Sequence, residues 1–130
     1  MEQRFLMDSN AVIDYIAKRI PSNGQNFINQ IIDEEFLISS IVKIEVLGFN
    51  ESIPARMLEL KEFISLATLL SLNDSVIEQT IELRKNYQKL KLGDAIIAAT
   101  ALIHNLTVIT RNTNDFKNIN GLVVLNPHQL

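Results

Sequence analysis

Asp8, Glu45, Asp94 and Asp115 each stand where a carboxylate can be more than a solvated surface charge. Asp8 closes the apolar run Phe5-Leu6-Met7 and precedes Ser9-Asn10. Glu45 lies in "ISSIVKIEVLGF" at 38–49, where its helical i±3 and i±4 neighbours Ile41, Val42, Gly48 and Phe49 are apolar or small. Lys43, two residues earlier, is roughly 160° away round a helix. If Lys43 faces water, Glu45 faces protein. A buried, unpaired carboxylate costs several kcal/mol or is protonated, so Glu45 needs a cation, a donor or a metal. A salt bridge is the simplest such partner. Asp94 precedes Ala95–Ile103, a stretch apolar nearly all round a helix and therefore buried, which sets its start near the interior or a cleft. An N-cap is the plainer role for Asp94. Asp115 follows Thr107–Thr110 through "RNTN", and a polar turn is the plainer role there. The remaining acids, such as Asp33-Glu34-Glu35, Glu59, Glu62, Glu78 and Glu82, fit a solvated face.

Carboxylates gathered at one edge of a sheet repel each other unless a divalent cation sits among them. The chain has no cysteine, and His104 and His128 fall in no ligand-spaced motif. Oxygen donors alone indicate Mg²⁺ or Mn²⁺ rather than zinc. Magnesium held by few carboxylates usually acts on phosphates, and two-metal sites cleave phosphodiesters.

The elements that must position these acids alternate. Strands are predicted at Phe5–Met7, Glu35–Ser39, Ala67–Leu72, Thr107–Thr110 and Leu122–Leu125. Helices are predicted at 11–18, 26–33, 40–49, 53–65, 74–88 and 94–105, with Ser9 or Asn10, Ser39 or Ser40, and Asn73 or Asp74 as caps. Arg19 to Gly24 reads as a turn. The strands do not alternate with polar residues, as expected of strands buried on both faces. Strand–helix alternation indicates an α/β fold with a mainly parallel sheet, whose ligands bind beyond the carboxyl ends of the strands.

With 130 residues, 47 % of them hydrophobic, the chain suits a single domain over 1–130 with a real core, not disorder. A net charge of −3 argues against a polyanion binder working through bulk charge. No stretch suits a signal-peptide core, and the longest apolar run is too short to span a membrane. The expectation is a cytoplasmic protein with no membrane partner.

The segments "FLMDSNAVIDYI" at 5–16, "ISSIVKIEVLGF" at 38–49, "LGDAIIAATALIHNLTVITRNTNDF" at 92–116 and "GLVVLNP" at 121–127 resemble, in this order, a PIN-domain ribonuclease. The resemblance is to the VapC-like toxin of a bacterial VapBC-type toxin–antitoxin pair. It implies a three-layer α/β/α sandwich with a short-stranded, mainly parallel central sheet. It makes Asp8, Glu45, Asp94 and Asp115 the catalytic and metal-holding quartet, with Asp115 at the family's more variable position. Ser9, Asn10, Thr110 and Asn112 become the polar residues that support them. The resemblance further implies Mg²⁺ or Mn²⁺, an RNA substrate, a cognate antitoxin and a homodimer. One departure is Gly93, where many members carry proline, which is expected to loosen the loop without removing a ligand.

The reaction so implied is metal-assisted hydrolysis, which needs no nucleophilic side chain. Arg84, Lys85, Lys89 and Lys91 cluster before Asp94, and either grip an RNA backbone or form a solvated helix end. Arg111, inside the strand-end motif, is the stronger candidate for a phosphate contact. Aromatic residues for base stacking are not evident at 6 % of the chain. The antitoxin is expected on an apolar groove among the helices at 10–33 and 41–65. Two alternatives remain: a PIN-like binding module without catalysis, and a Mg²⁺-binding phosphorelay receiver. The receiver would need paired acids after the first strand, where Ser9-Asn10 stand, and a Lys at the last strand's end. A haloacid-dehalogenase-type phosphatase would need Asp at position 10, and is set aside.

Overall fold

The computed structural model describes residues 3–130. Its strands are β1 (Arg4–Met7), β2 (Leu37–Ser39), β3 (Thr68–Leu70), β4 (Leu106–Ile109) and β5 (Val124–Leu125). Its helices are α1 (Ser9–Ile16), α2 (Ser22–Glu34), α3 (Ser40–Leu47), α4 (Pro54–Ser65), α5 (Asp74–Asn86) and α6 (Leu92–His104). All strand pairs are parallel: β1 with β4, β4 with β5, and β2 with β3. β1 and β2 lie side by side without a ladder, so the two ladders continue one layer in the order β3-β2-β1-β4-β5. Helices cover this layer as an α/β/α sandwich.

The central strands are buried because their residues are. Leu6, Met7, Leu37, Ile38, Val108 and Ile109 are each at most 2 % exposed. β3 departs from the expected pattern: only three residues pair, and Leu69 is exposed, because β3 is the edge of the layer. α6 follows its composition, with every residue from Ala95 to Ala101 buried against α5, β4 and α3. Asn105, with φ 56°, ends α6 in the left-handed conformation and turns the chain into β4.

Several helices start earlier than the sequence suggests. α1 begins at Ser9 because Asp8 itself is the cap, its carboxylate accepting from the Ser9 N–H. α2 begins at Ser22, inside the stretch read as a turn, with Pro21 at its N-cap. Gly24 is needed there: a Cβ at this position would lie 1.9 Å from the Pro127 carbonyl oxygen. That close approach lets the C-terminal 3-10 turn (Pro127–Gln129) pack on α2. Among the described residues, no helix is long and apolar enough to cross a membrane.

Candidate active site

The β1–β4 register aligns Met7 with Ile109 and so sets Asp8 beside Thr110, each one residue past a strand end. The Asp8 N–H donates to the Ile109 carbonyl at 3.0 Å, and the Thr110 N–H to that of Leu125 at 3.0 Å. Asp8 is therefore carried by the sheet rather than by a free loop.

The Asp8 carboxylate is 5 % exposed, and both its oxygens are engaged. Oδ1 accepts from the Ser9 N–H at 2.7 Å. Oδ2 accepts from Thr110 Oγ1 at 2.7 Å and from Asn10 Nδ2 at 3.2 Å. Burial pushes this carboxyl above the usual range; the bonds from Thr110 and Ser9 oppose that, while the charges of Glu45 and Asp115 add to it. Thr110, wholly buried, also accepts from Asn10 Nδ2 at 3.0 Å and from the Asn112 N–H at 3.1 Å. The Arg111 N–H donates to Asn10 Oδ1 at 2.9 Å. Ser9, Asn10, Thr110 and the Asn112 backbone thus form one network around Asp8.

Glu45 departs from its expected setting. α3 leaves it exposed, together with Lys43, and its partner is the Ser9 hydroxyl at 2.6 Å, not a basic side chain. On an eight-residue helix packed by Val42 and Val46, the neighbouring face stays at the rim. Glu45 nevertheless reaches the start of α6: a Cβ on Gly93 would lie 3.1 Å from Glu45 Oε2. Gly93 is inside α6 and makes room for this acid, rather than loosening a loop.

Asp94 is not a cap either. The N-cap of α6 is Lys91, and Asp94 sits in the first turn, half-buried. Its carboxyl is pushed up to about 6, first by burial, then by the charges of Asp8, Asp115 and Glu45; Lys91 pulls it back. Asp115 ends the 3-10 turn Thr113–Asp115 and is exposed, entering through its charge on Asp8 and Asp94. The four acids share one field at the carboxyl edge of β1 and β4. They are held open: among the described residues, no three His, Cys, Asp or Glu side chains converge into a ready ligand set. The donor chemistry of these four side chains is oxygen only, the kind that suits a hard divalent cation.

A PIN-domain family model matches residues 5–122. The chain belongs to the PIN-domain family. This PIN domain is similar to a chain of a toxin–antitoxin complex from Klebsiella pneumoniae, with 32 % identity and a TM-score of 0.72 over 95 % of this chain and 97 % of that one. It is similar to a chain of DNA-bound VapBC from Salmonella typhimurium, with 26 % identity and a TM-score of 0.80 over 97 % and 99 %. It shares the fold of a chain of VapBC2 from Rickettsia felis bound to a DNA fragment from its promoter, at 23 % identity and a TM-score of 0.81 over 95 % and 98 %. No curated protein sequence matches it.

The basic residues of the PIN domain divide. Arg111 donates through Nη1 to Asp14 Oδ2 at 2.8 Å, leaving about half of its side chain exposed. Lys89 and Lys91 are exposed along a cleft that reaches Asp94 and Asp115. Arg84 and Lys85 lie in the last turn of α5, outside that cleft's lining, where they complement the helix dipole.

Two residues escaped the sequence reading. Lys117 lines the same cleft. Asp14 on α1 is 2 % exposed and also meets His128 Nε2 at 3.1 Å, tying α1 to the loop after β4 and to the C-terminal turn. The i+3 spacing from the buried Ala11 carried the signal.

Proposed function

We propose that this PIN domain is a Mg²⁺- or Mn²⁺-dependent endoribonuclease and the toxin of a toxin–antitoxin pair. The observation that carries the reading is the gathering of Asp8, Glu45, Asp94 and Asp115 at one sheet edge, where burial, and after it the charges of the other three acids, pushes the Asp94 carboxyl up to about 6. Those four carboxylates would hold the ion. When bound, the ion supplies Lewis acidity toward a phosphate oxygen and toward the attacking water.

The chain's own residues do the rest. Thr110, Asn10 and the Ser9 N–H fix both Asp8 oxygens on the sheet edge. The Ser9 hydroxyl holds Glu45 toward the same edge. Arg111, steadied by Asp14, keeps half of its side chain open for a phosphate of the substrate backbone. Positioning of this kind removes reorganisation from the reaction.

The toxin assignment rests on the family and on likeness to the Klebsiella and Salmonella complexes. A surface feature supports a protein partner. A groove of about 400 Å³ between α1 and the α3–α4 region has Ile13, Ile16, Phe49 and Leu60 as its apolar lining and Lys18, Arg19, Glu51, Arg56 and Glu59 as its charged lining, so it is mixed rather than apolar. Ile44, Ile53 and Leu58 are exposed on α3, α4 and the loop between them. An antitoxin is the proposed occupant of the groove, and a homodimer belongs to the same reading. The test is incubation of EDTA-dialysed protein with single-stranded RNA and with DNA of the same sequence. RNA cleavage that appears only on adding Mn²⁺ or Mg²⁺ supports the reading; cleavage of DNA alone, or none with either metal, overturns it.

A further inference from the structure

Beside Asp94 and Asp115 lies a cleft of about 410 Å³, walled by the α5–α6 connection on one side and the loop after β4 on the other. Asp94 and Asp115 line one part of it, and the rest is of another kind. Leu90 and Ile119, 9 % and 6 % exposed, contribute apolar surface continuous with the core. Tyr87 contributes a half-buried aromatic ring. Its hydroxyl accepts from the Asn120 N–H at 3.0 Å, which fixes the ring from the opposite loop. Asn114 and Asn118 bring amide groups, each offering both a donor and an acceptor. Asn118 has φ 70°, a conformation that Asn tolerates and that pins the turn. Lys91 and Lys117 supply positive charge.

We propose that this cleft is a nucleobase subsite, which takes one unstacked base of single-stranded RNA next to the scissile phosphate. The proposal rests on the ribonuclease reading and adds to it where sequence preference originates. Single-stranded RNA is recognised by stacking splayed bases on aromatic rings and by hydrogen bonds to their edges. The exposed part of Tyr87 provides the stacking surface, with Leu90 and Ile119 as the apolar floor beneath it, and Asn114 and Asn118 read the edge. Lys91 and Lys117 hold the flanking phosphate, while Asp94 and Asp115 repel it in the absence of a cation. The cleft volume is within the roughly 300–1,000 Å³ of small-ligand sites.

The experiment digests random-sequence single-stranded RNA with Mn²⁺ and maps the new ends by sequencing. Binding of the same RNA is measured in EDTA, where no cutting interferes. Wild-type protein should show a base preference at one position beside the cut. Tyr87→Ala should flatten that preference and weaken binding about tenfold or more, whereas Tyr87→Phe, which keeps the ring, should retain both. Asn118→Asp, an exposed change that keeps the turn conformation, should alter the preferred base. Lys117→Ala should raise KM with kcat unchanged. RNA with an abasic nucleotide at the preferred position should bind Tyr87→Ala and wild type alike. If wild type cuts no RNA, the ribonuclease reading falls and the subsite with it. If wild type cuts and the Tyr87→Ala, Asn118→Asp and Lys117→Ala variants keep its preference and affinity, the subsite alone is overturned. Loss of antitoxin binding by those variants with unchanged cleavage would likewise overturn it.

Discussion

The Thr110 hydroxyl donates to Asp8 Oδ2 at 2.7 Å, across the β1–β4 ladder and one step beyond its last aligned pair. The two residues are separated by nearly the whole chain, yet the parallel register fixes their spacing. Asp8 is buried, and its charge is tolerable because Thr110, Asn10 and the Ser9 N–H replace lost water.

Thr110→Val should therefore damage both stability and activity. It removes the donor to Asp8 and the acceptor used by Asn10 and the Asn112 N–H. A loss of about 1–3 kcal/mol is expected from leaving such buried groups unpaired. Thr110→Ser should recover much of it. Denaturant melts of the three proteins check this; a Val variant as stable as wild type would show that the hydroxyl is dispensable.

Glu45→Gln should separate activity from stability. Glu45 is exposed, and a Gln oxygen can still accept from Ser9, so the melting temperature should barely move. Cleavage should fall by more than the roughly 10–100-fold typical of removing a metal site's outer partner. Equal turnover by both proteins would remove Glu45 from the site.

Gly93→Ala tests why glycine precedes Asp94. Alanine favours the helix by up to about 1 kcal/mol, but its Cβ would stand 3.1 Å from Glu45 Oε2. The Glu45 side chain can swing toward water, so stability should hold or rise while activity drops. An active Gly93→Ala protein would mean that Glu45 need not sit against α6.

The pH dependence has a defined sign. Asp94 is raised from 3.8 to about 6 in the folded protein, so folding favours its protonated form. That contribution is fully present below about pH 4 and is lost as pH rises toward about 6; Asp8 shifts in the same direction. Metal-free wild type should lose stability relative to Asp94→Asn across this window, and cation affinity should increase across it. Parallel melts in EDTA that stay equidistant from acid to neutral pH would contradict the shift.

The positions of the acids were legible in the sequence where local pattern and global position agreed. Asp8 ends an apolar strand, and the all-apolar α6 had to be buried, so both lie at the sheet edge as anticipated. Glu45 was expected to face protein, and it does not. Helical spacing says which residues are neighbours, but not how far a short helix sinks, and α3 leaves Glu45 at the rim. Asp14 was missed because its partners, Arg111 and His128, are distant in sequence and come together only through β4 and the C-terminal turn. The exposure of β3 depends on its being the edge of the layer, which a three-residue strand does not disclose. The start of α2 was obscured because Pro21-Ser22-Asn23-Gly24 suits a turn as well as a helix start, and Gly24 is set by contact with Pro127.

The most direct test of the account is a thermal melt of wild type and Asp94→Asn, each in EDTA and in excess Mn²⁺, at neutral pH. Asn keeps the shape of Asp94 and removes one charge from a field shared by Asp8, Glu45 and Asp115. In EDTA the variant should melt at or above wild type, because repulsion is relieved. Mn²⁺ should raise the wild-type melting temperature by mass action and leave the variant nearly unmoved. A variant that melts well below wild type in EDTA and gains as much from Mn²⁺ would mean that Asp94 only supports the start of α6, and that the four carboxylates do not form one metal site.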